Sequence, residues 1–117
     1  MKEFILIFRM DITTKEAQPT PEQMQSYMKS WMEWINEISA QEKLAEGGNH
    51  LSSSAAKVIK PNNIISDGPY TVNNESVAGY ILIYAKSIAD AVLIAQKCPI
   101  LQGEGTSVEV RELGTPG

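Results

Sequence analysis

Two side chains in the sequence are suited to proton transfer, one aspartate and the single histidine. Asp67 begins the segment Asp-Gly-Pro-Tyr and would act as a general base if burial raised its pKa toward neutrality. His50 is the natural proton carrier, since an imidazole titrates near neutral pH. The alternatives are that Asp67 accepts backbone N–H groups and fixes a turn, and that His50 is an exposed or packed loop residue. Asp67 and His50 are the predicted catalytic residues, on the condition that the fold brings them together.

A second group of residues is suited to binding a small organic substrate. Trp31, Trp34 and Tyr80 would give a pocket apolar walls with a few polar tips. Glu75 would bind or polarise a polar group, and Arg111 suits a substrate carboxylate. The alternatives are aromatic packing in the core or an interface, and a cross-strand or intersubunit ion pair. These five residues are the predicted substrate-binding set.

Known cofactor and metal motifs are not found in the sequence. It has no glycine-rich phosphate loop after a strand, no HExxH or CxxC pattern and no Gly-x-Ser-x-Gly elbow. One histidine and one cysteine make a protein-built zinc site improbable. Cys98 lies in a helical apolar pattern, which is typical of a small core residue. We therefore expect no cofactor and no bound metal.

The composition favours one globular domain. The chain has 117 residues, of which 43% are hydrophobic and 21% charged, with a formal net charge of −4. An acidic chain offers no broad positive field for nucleic acid or an anionic membrane. A lone cysteine fits a reducing cytoplasm, and no membrane or export segment is predicted. We expect a single domain over residues 1–113 and a flexible tail over 114–117.

Hydrophobic periodicity predicts alternating strands and helices. A long amphipathic helix follows Thr20, with Pro21 at its first position and Gln23 completing a capping box. Trp34 lies off the centre of its apolar stripe, which places it toward an edge or a cleft. Residues that tolerate positive φ then predict the helix end at Gly47-Gly48-Asn49. The remaining predicted elements are a strand at 4–8, a hairpin within 52–65, a strand at 79–84, a helix capped by Ser87 and a strand at 107–113.

This order of elements is that of the ferredoxin-like, split βαβ fold of the α+β class. Both helices then lie on one face of an antiparallel sheet and leave the other face open. The strands 4–8 and 79–84 are apolar on both faces, so the open face needs cover. A second copy related by a two-fold axis is the economical cover, which predicts a homodimer.

The sequence also resembles a known protein family. The ordered set Asp67-Gly68-Pro69-Tyr70, Gly79-Tyr80, Cys98-Pro99-Ile100-Leu101 and Val108-Glu109-Val110-Arg111 is similar to the conserved blocks of the YCII-related (DGPF) family and spans nearly the whole chain. The resemblance implies a dimeric α+β barrel, a small cytoplasmic bacterial protein and a cleft between sheet and helices. The family's suspected pair is a helix histidine and a loop aspartate. Here Trp31 and Trp34 lie in that helix, so only Asp67 carries over.

Two functions remain open from the sequence. One is a cofactor-independent enzyme acting on a small organic molecule through Asp67, with His50 or a water. The other is a non-catalytic dimeric module that binds a small ligand or regulates in response to one. A carboxylate with a raised pKa in a closed pocket would favour the enzyme, and an Asp67 engaged at a solvated turn would favour the module.

Overall fold

The computed structural model describes residues 1–14 and 19–114. In chain order the elements are β1 (Lys2–Asp11), α1 (Pro21–Ala40), β2 (Leu44–His50), β3 (Lys57–Lys60), β4 (Ile64–Asp67), β5 (Glu75–Ala85), α2 (Ile88–Ala95), a short 3₁₀ helix (Pro99–Gln102) and β6 (Thr106–Glu112). Four strands form one antiparallel sheet in the order β2-β5-β1-β6. This confirms the predicted α+β class with an antiparallel sheet and two helices.

The core lies between one face of this sheet and both helices. Alternate residues of β1 point into it, and Phe4 and Leu6 are fully buried. Their Cα partners on β5 are Ile83 and Ile81, which are also fully buried. The helices complete the cluster with Trp34, Ile38, Ala91 and Ala95. Both helices therefore cover the same sheet face, as predicted.

Helix α1 begins as predicted and ends earlier than predicted. The Thr20 side chain accepts from the Gln23 backbone N–H, and the Gln23 side chain accepts from the Thr20 N–H. The helix ends at Ala40, and two residues later Glu42 has a positive φ of 59°. The predicted end at Gly47-Gly48-Asn49 was wrong, because these residues lie inside β2. Gly48 provides the positive φ of a bulge there.

The buried side of α1 differs from the predicted stripe at one important residue. Trp34 is only 5% exposed and donates its indole N–H to the Ile94 carbonyl at 3.2 Å. Trp34 therefore belongs to the core, which was not expected from its position off the centre of the apolar stripe. Trp31 is half-buried and packs edge-on against Phe8, with ring centroids 4.9 Å apart. Because the indole N–H of Trp34 donates to a backbone carbonyl of α2, the large ring is buried in the core without an unsatisfied donor.

Strands β3 and β4 form a separate two-stranded hairpin, which we call the arm (residues 57–67). Asn62 and Asn63 both adopt positive φ in the three-residue loop, residues 61–63, at its tip. The predicted hairpin is thus present, but the prediction that its two strands belong to the main sheet was wrong. The arm is inserted in the chain between β2 and β5, which are neighbouring strands of the main sheet, and it lies beside that sheet.

The molecule is a flat, two-layered body with one uncovered sheet face. Its principal extents are 46 × 42 × 20 Å, and the short one matches one helix layer on one sheet. It exposes 8195 Å², whereas a folded monomer of 12.9 kDa typically exposes about 6300 Å². No helix in the described ranges is long and apolar enough to cross a membrane.

Some sequence expectations concern residues that the structure does not describe. Residues 15–18, between β1 and α1, and residues 115–117 of the predicted tail lie outside the described residues. The cap of α2 is confirmed, because the Ser87 hydroxyl accepts from the Asp90 N–H at 3.2 Å. In the last strand, Val108 and Val110 pack on the core, also as predicted.

Candidate functional site

The uncovered face of the sheet, which we call the open face, carries an apolar stripe. Ile5 and Ile7 of β1 point away from the helices, and their Cα partners on β5 are Leu82 and Tyr80. Tyr84 extends the stripe along β5. All five are only half-buried in the single chain. An aliphatic and aromatic stripe of this kind is typical of an interaction surface.

Charged side chains gather at one end of the open face. Arg9, two residues beyond Ile7, contacts Glu109 of β6, with Nη1 and Oε1 2.5 Å apart. The Ser107 hydroxyl donates to Glu75 Oε1 at 3.4 Å. These half-buried groups on three neighbouring strands give the end of the apolar stripe a fixed set of donors and acceptors.

A cleft of about 790 Å³ opens between this charged end and the base of the arm. Arg9, Glu75 and Val77 line it from the sheet, and Leu51, Tyr70 and Val72 are among the residues that line it from the connecting segments. Most lining side chains are apolar, with a few charged and amide groups between them. This volume and this mixture are those of a small-ligand site.

The loop that forms the far wall of the cleft is held by specific hydrogen bonds. The buried Ser76 hydroxyl donates to the Tyr70 carbonyl at 2.6 Å. Val72 and Glu75 exchange backbone hydrogen bonds of 2.9 and 3.0 Å across a turn. Gly68 donates its N–H to the Ala56 carbonyl at 2.9 Å, which ties the two ends of the arm together. The wall is therefore anchored to β5 by backbone groups.

The two predicted catalytic residues lie in different sheets. Asp67 ends β4 in the arm, where its exposed carboxylate accepts from the Lys57 ammonium group. His50 ends β2 in the main sheet, with Gly79 as its Cα partner, and is also exposed. No hydrogen bond or ion pair joins these two side chains in the described part of the chain. Asp67 here joins the two strands of the arm at its base.

The predicted substrate-binding residues are divided between the two sides of the sheet. Trp31 and Trp34 lie on the helix side, where they pack against each other with ring centroids 5.2 Å apart. Tyr80, Glu75 and Arg111 lie on the open side, as their strand registers require. Only Glu75 of the five lines the cleft beside the arm.

Two residues that sequence reasoning did not select as site residues line the cleft, Arg9 and Tyr70. Arg9 is the charged residue that follows the apolar run 4–8 of β1. The position of Arg9 two residues after Ile7 could have placed it on the open face, because alternate residues of a strand lie on the same face of the sheet. Tyr70 belongs to the Asp-Gly-Pro-Tyr segment, whose position over the sheet end depends on the long-range contacts of the arm base.

Buried titratable groups lie away from this cleft. Burial raises the pKa of the Cys98 thiol to about 12 and that of the Tyr27 hydroxyl to about 12. Both belong to the helix side, where Cys98 is part of the core cluster. Such a thiol is inert at neutral pH. Over residues 1–14 and 19–114, no cluster of three or more His, Cys, Asp or Glu side chains could hold a metal ion.

A second cavity lies between the two helices and is the weaker candidate. It measures about 270 Å³, and its lining includes Trp34 and the exposed pair Lys97–Glu37. The indole N–H of Trp34 already donates to a carbonyl. The volume is below the usual range for a small-molecule site.

No model of a known protein family matches the chain, and a search of curated proteins finds no match.

Proposed function

We propose that this chain is a homodimeric small-molecule-binding protein. Two copies stack their open faces about a two-fold axis, and each copy holds a ligand in the cleft between its charged sheet end and the arm. The observation that carries the proposal is the continuity of the two surfaces: the apolar stripe through Ile5 and Ile7 runs directly into the cleft at Arg9. A second copy on the stripe also closes the open side of the cleft.

The surface area of the single chain supports the dimer. The excess of roughly 1900 Å² over a typical folded monomer is larger than the about 800 Å² that a standard interface takes from each partner. The half-buried aliphatic and aromatic side chains of the open face gain most from removal of water. The family resemblance of the sequence agrees with this proposal, since it implies a dimeric α+β barrel.

Two unpaired charges make the open face complementary to itself. Glu46 of β2 and Arg111 of β6 lie at opposite edges of one row of the sheet, on either side of Leu82 and Ile5. Neither has an ion-pair partner within the described ranges. A two-fold axis parallel to the strands brings Arg111 opposite the partner subunit's Glu46, and the reverse.

Charge reversal tests this arrangement. We expect Arg111→Glu and Glu46→Arg each to raise the dimer Kd about tenfold, because each creates two like-charged contacts at the rim. The double variant should return to within about threefold of the wild-type Kd. Sedimentation velocity over a dilution series measures all four proteins. If the double variant loses as much dimerisation free energy as the two single variants together, the proposed axis is contradicted.

The cleft sets the class of ligand. Apolar walls favour a small organic molecule with an apolar body, and Arg9, Glu75 and Lys57 provide hydrogen bonds for one or two polar groups. The binding function is preferred to catalysis because Asp67 is exposed and paired with Lys57. A solvated carboxylate in an ion pair is a poor general base at neutral pH. Catalysis by Asp67 and His50 stays a prediction from the sequence.

A thermal-shift screen of small carboxylates, amides and phenols tests the ligand proposal. We expect binders that raise the melting temperature of the wild type and whose affinity falls at least tenfold in Tyr70→Ala. Tyr70 is 63% exposed, so this variant should fold normally. Leu93→Ala, at an exposed position of α2 that does not line this cleft, is the matched control and should bind as the wild type does. A screen without binders, or equal affinity in Tyr70→Ala, would contradict the proposed site.

A further inference from the structure

The arm presents an apolar surface that its own chain does not cover. Ile59 and Ile65 are cross-strand partners on one face of the arm, and they are 70% and 63% exposed. Ile64 on the other face is exposed as well. An isolated two-stranded hairpin is marginally stable in water. A hairpin with aliphatic side chains exposed on both faces needs a second surface to pack on.

The position of the arm beside the cleft indicates where that second surface lies. Lys57 and Val58 at the base of the arm line the same cleft as Arg9 and Val77 of the open face. The arm therefore starts from the open side of the sheet. A partner that stacks on the open face and extends past its charged end would meet the arm.

The area of the open face points to the same occupant. Four strands over the seven residues of β6 cover roughly 450 Å² at ordinary strand spacing. A standard interface takes about 800 Å² from each partner. The flat outline of the open face is smaller than this area, and the exposed aliphatic side chains of the arm add to the apolar surface that a partner can cover.

From these observations we infer that each arm packs its Ile59–Ile65 pair on the second copy of the chain. The inference rests on the proposed dimer and adds a partner contact to it. The Lys57–Asp67 ion pair then joins the two strands at the base of a dimerisation arm. A two-fold axis makes the contact reciprocal, so a dimer contains two such arms.

The double variant Ile59→Thr/Ile65→Thr tests the inference. Threonine keeps the β-branched shape that strands prefer while it removes apolar area from the arm. We expect the dimer Kd, measured by sedimentation velocity, to rise at least tenfold. Leu93→Thr, an equally exposed aliphatic position on α2, is the matched control and should leave the Kd unchanged.

Hydrogen exchange of the arm amides provides a second readout that needs no substitution in the arm. We expect strong protection of residues 57–67 in the wild-type dimer and loss of that protection in Leu82→Glu, which is designed to separate the copies at the open face. The arm contact would be overturned by an unchanged dimer Kd in the threonine variant. It would also be overturned by equal hydrogen-exchange rates of the arm amides in the wild type and in Leu82→Glu. In either case a dimeric wild type would leave the proposed dimer intact. A monomeric wild type would overturn the dimer itself.

Discussion

Leu82→Glu is expected to convert the protein from a dimer to a folded monomer. Leu82 lies at the centre of the open face, between Glu46 of β2 and Ile5 of β1. In a symmetric dimer the substitution removes two leucine side chains from the interface and inserts two carboxylates. The loss of apolar burial alone is about 2 kcal/mol for each copy. Together this corresponds to a rise of roughly 1000-fold in the dimer Kd.

Light scattering on a sizing column, with far-UV circular dichroism as the folding check, measures this result. Ile7→Glu on the neighbouring strand should have the same effect, because its side chain lies on the same face. Leu93→Glu introduces the same charge on the outer side of α2 and should remain dimeric. A dimeric Leu82→Glu, or a monomeric Leu93→Glu, would show that the copies meet elsewhere.

Gly48→Ala is expected to destabilise the fold strongly. Gly48 has a φ of +65°, and a Cβ there would lie 1.7 Å from the Tyr80 carbonyl oxygen. The left-handed conformation costs a non-glycine residue about 1–3 kcal/mol. The contact is with backbone atoms of β5, so β2 must also move away from its neighbour. We expect a loss of at least about 3 kcal/mol and a melting temperature lower by roughly 10 °C or more.

Gly47→Ala is the matched control for this variant. A Cβ at Gly47 meets nothing within 4 Å, and alanine is no worse than glycine in a strand. We expect its free energy of unfolding to stay within about 0.5 kcal/mol of the wild type. Urea unfolding of the three proteins gives the comparison. Equal losses in both variants would mean that the bulge in β2 is not formed as described.

The Gly-Gly-Asn segment also shows where prediction from sequence was limited. Glycines that accept positive φ are equally suited to a helix end and to a strand bulge. The choice depends on the long-range pairing of β2 with β5, which the local pattern does not contain. Glu42, an ordinary charged residue, ends α1 instead by taking the positive φ itself.

The strands of the core were predictable because their signals are local and strong. β1 and β5 carry long apolar runs, and Val108 and Val110 alternate with charged residues as a half-buried strand requires. The cap of α1 at Thr20 was equally readable, because it needs only neighbouring residues. These elements determine the sheet and the side on which the helices lie.

The candidate site was less predictable because it depends on which face each side chain takes. Trp31 and Trp34 resemble Tyr80 chemically, yet the sheet separates them by its full thickness. The cleft forms where the arm base lies beside the end of β1, and it is lined by residues such as Arg9 and Tyr70 that are distant in sequence. Spacing along the chain does not encode such an arrangement.

The mass of the wild-type protein in solution is the most direct test of the proposed dimer. Light scattering at micromolar concentration should give twice the 12.9 kDa of one chain, and dilution should reveal a single dimer–monomer equilibrium. Because the open face, the Arg111–Glu46 complementarity and the arm contact all require a second copy, a particle of 12.9 kDa at every concentration would contradict the account.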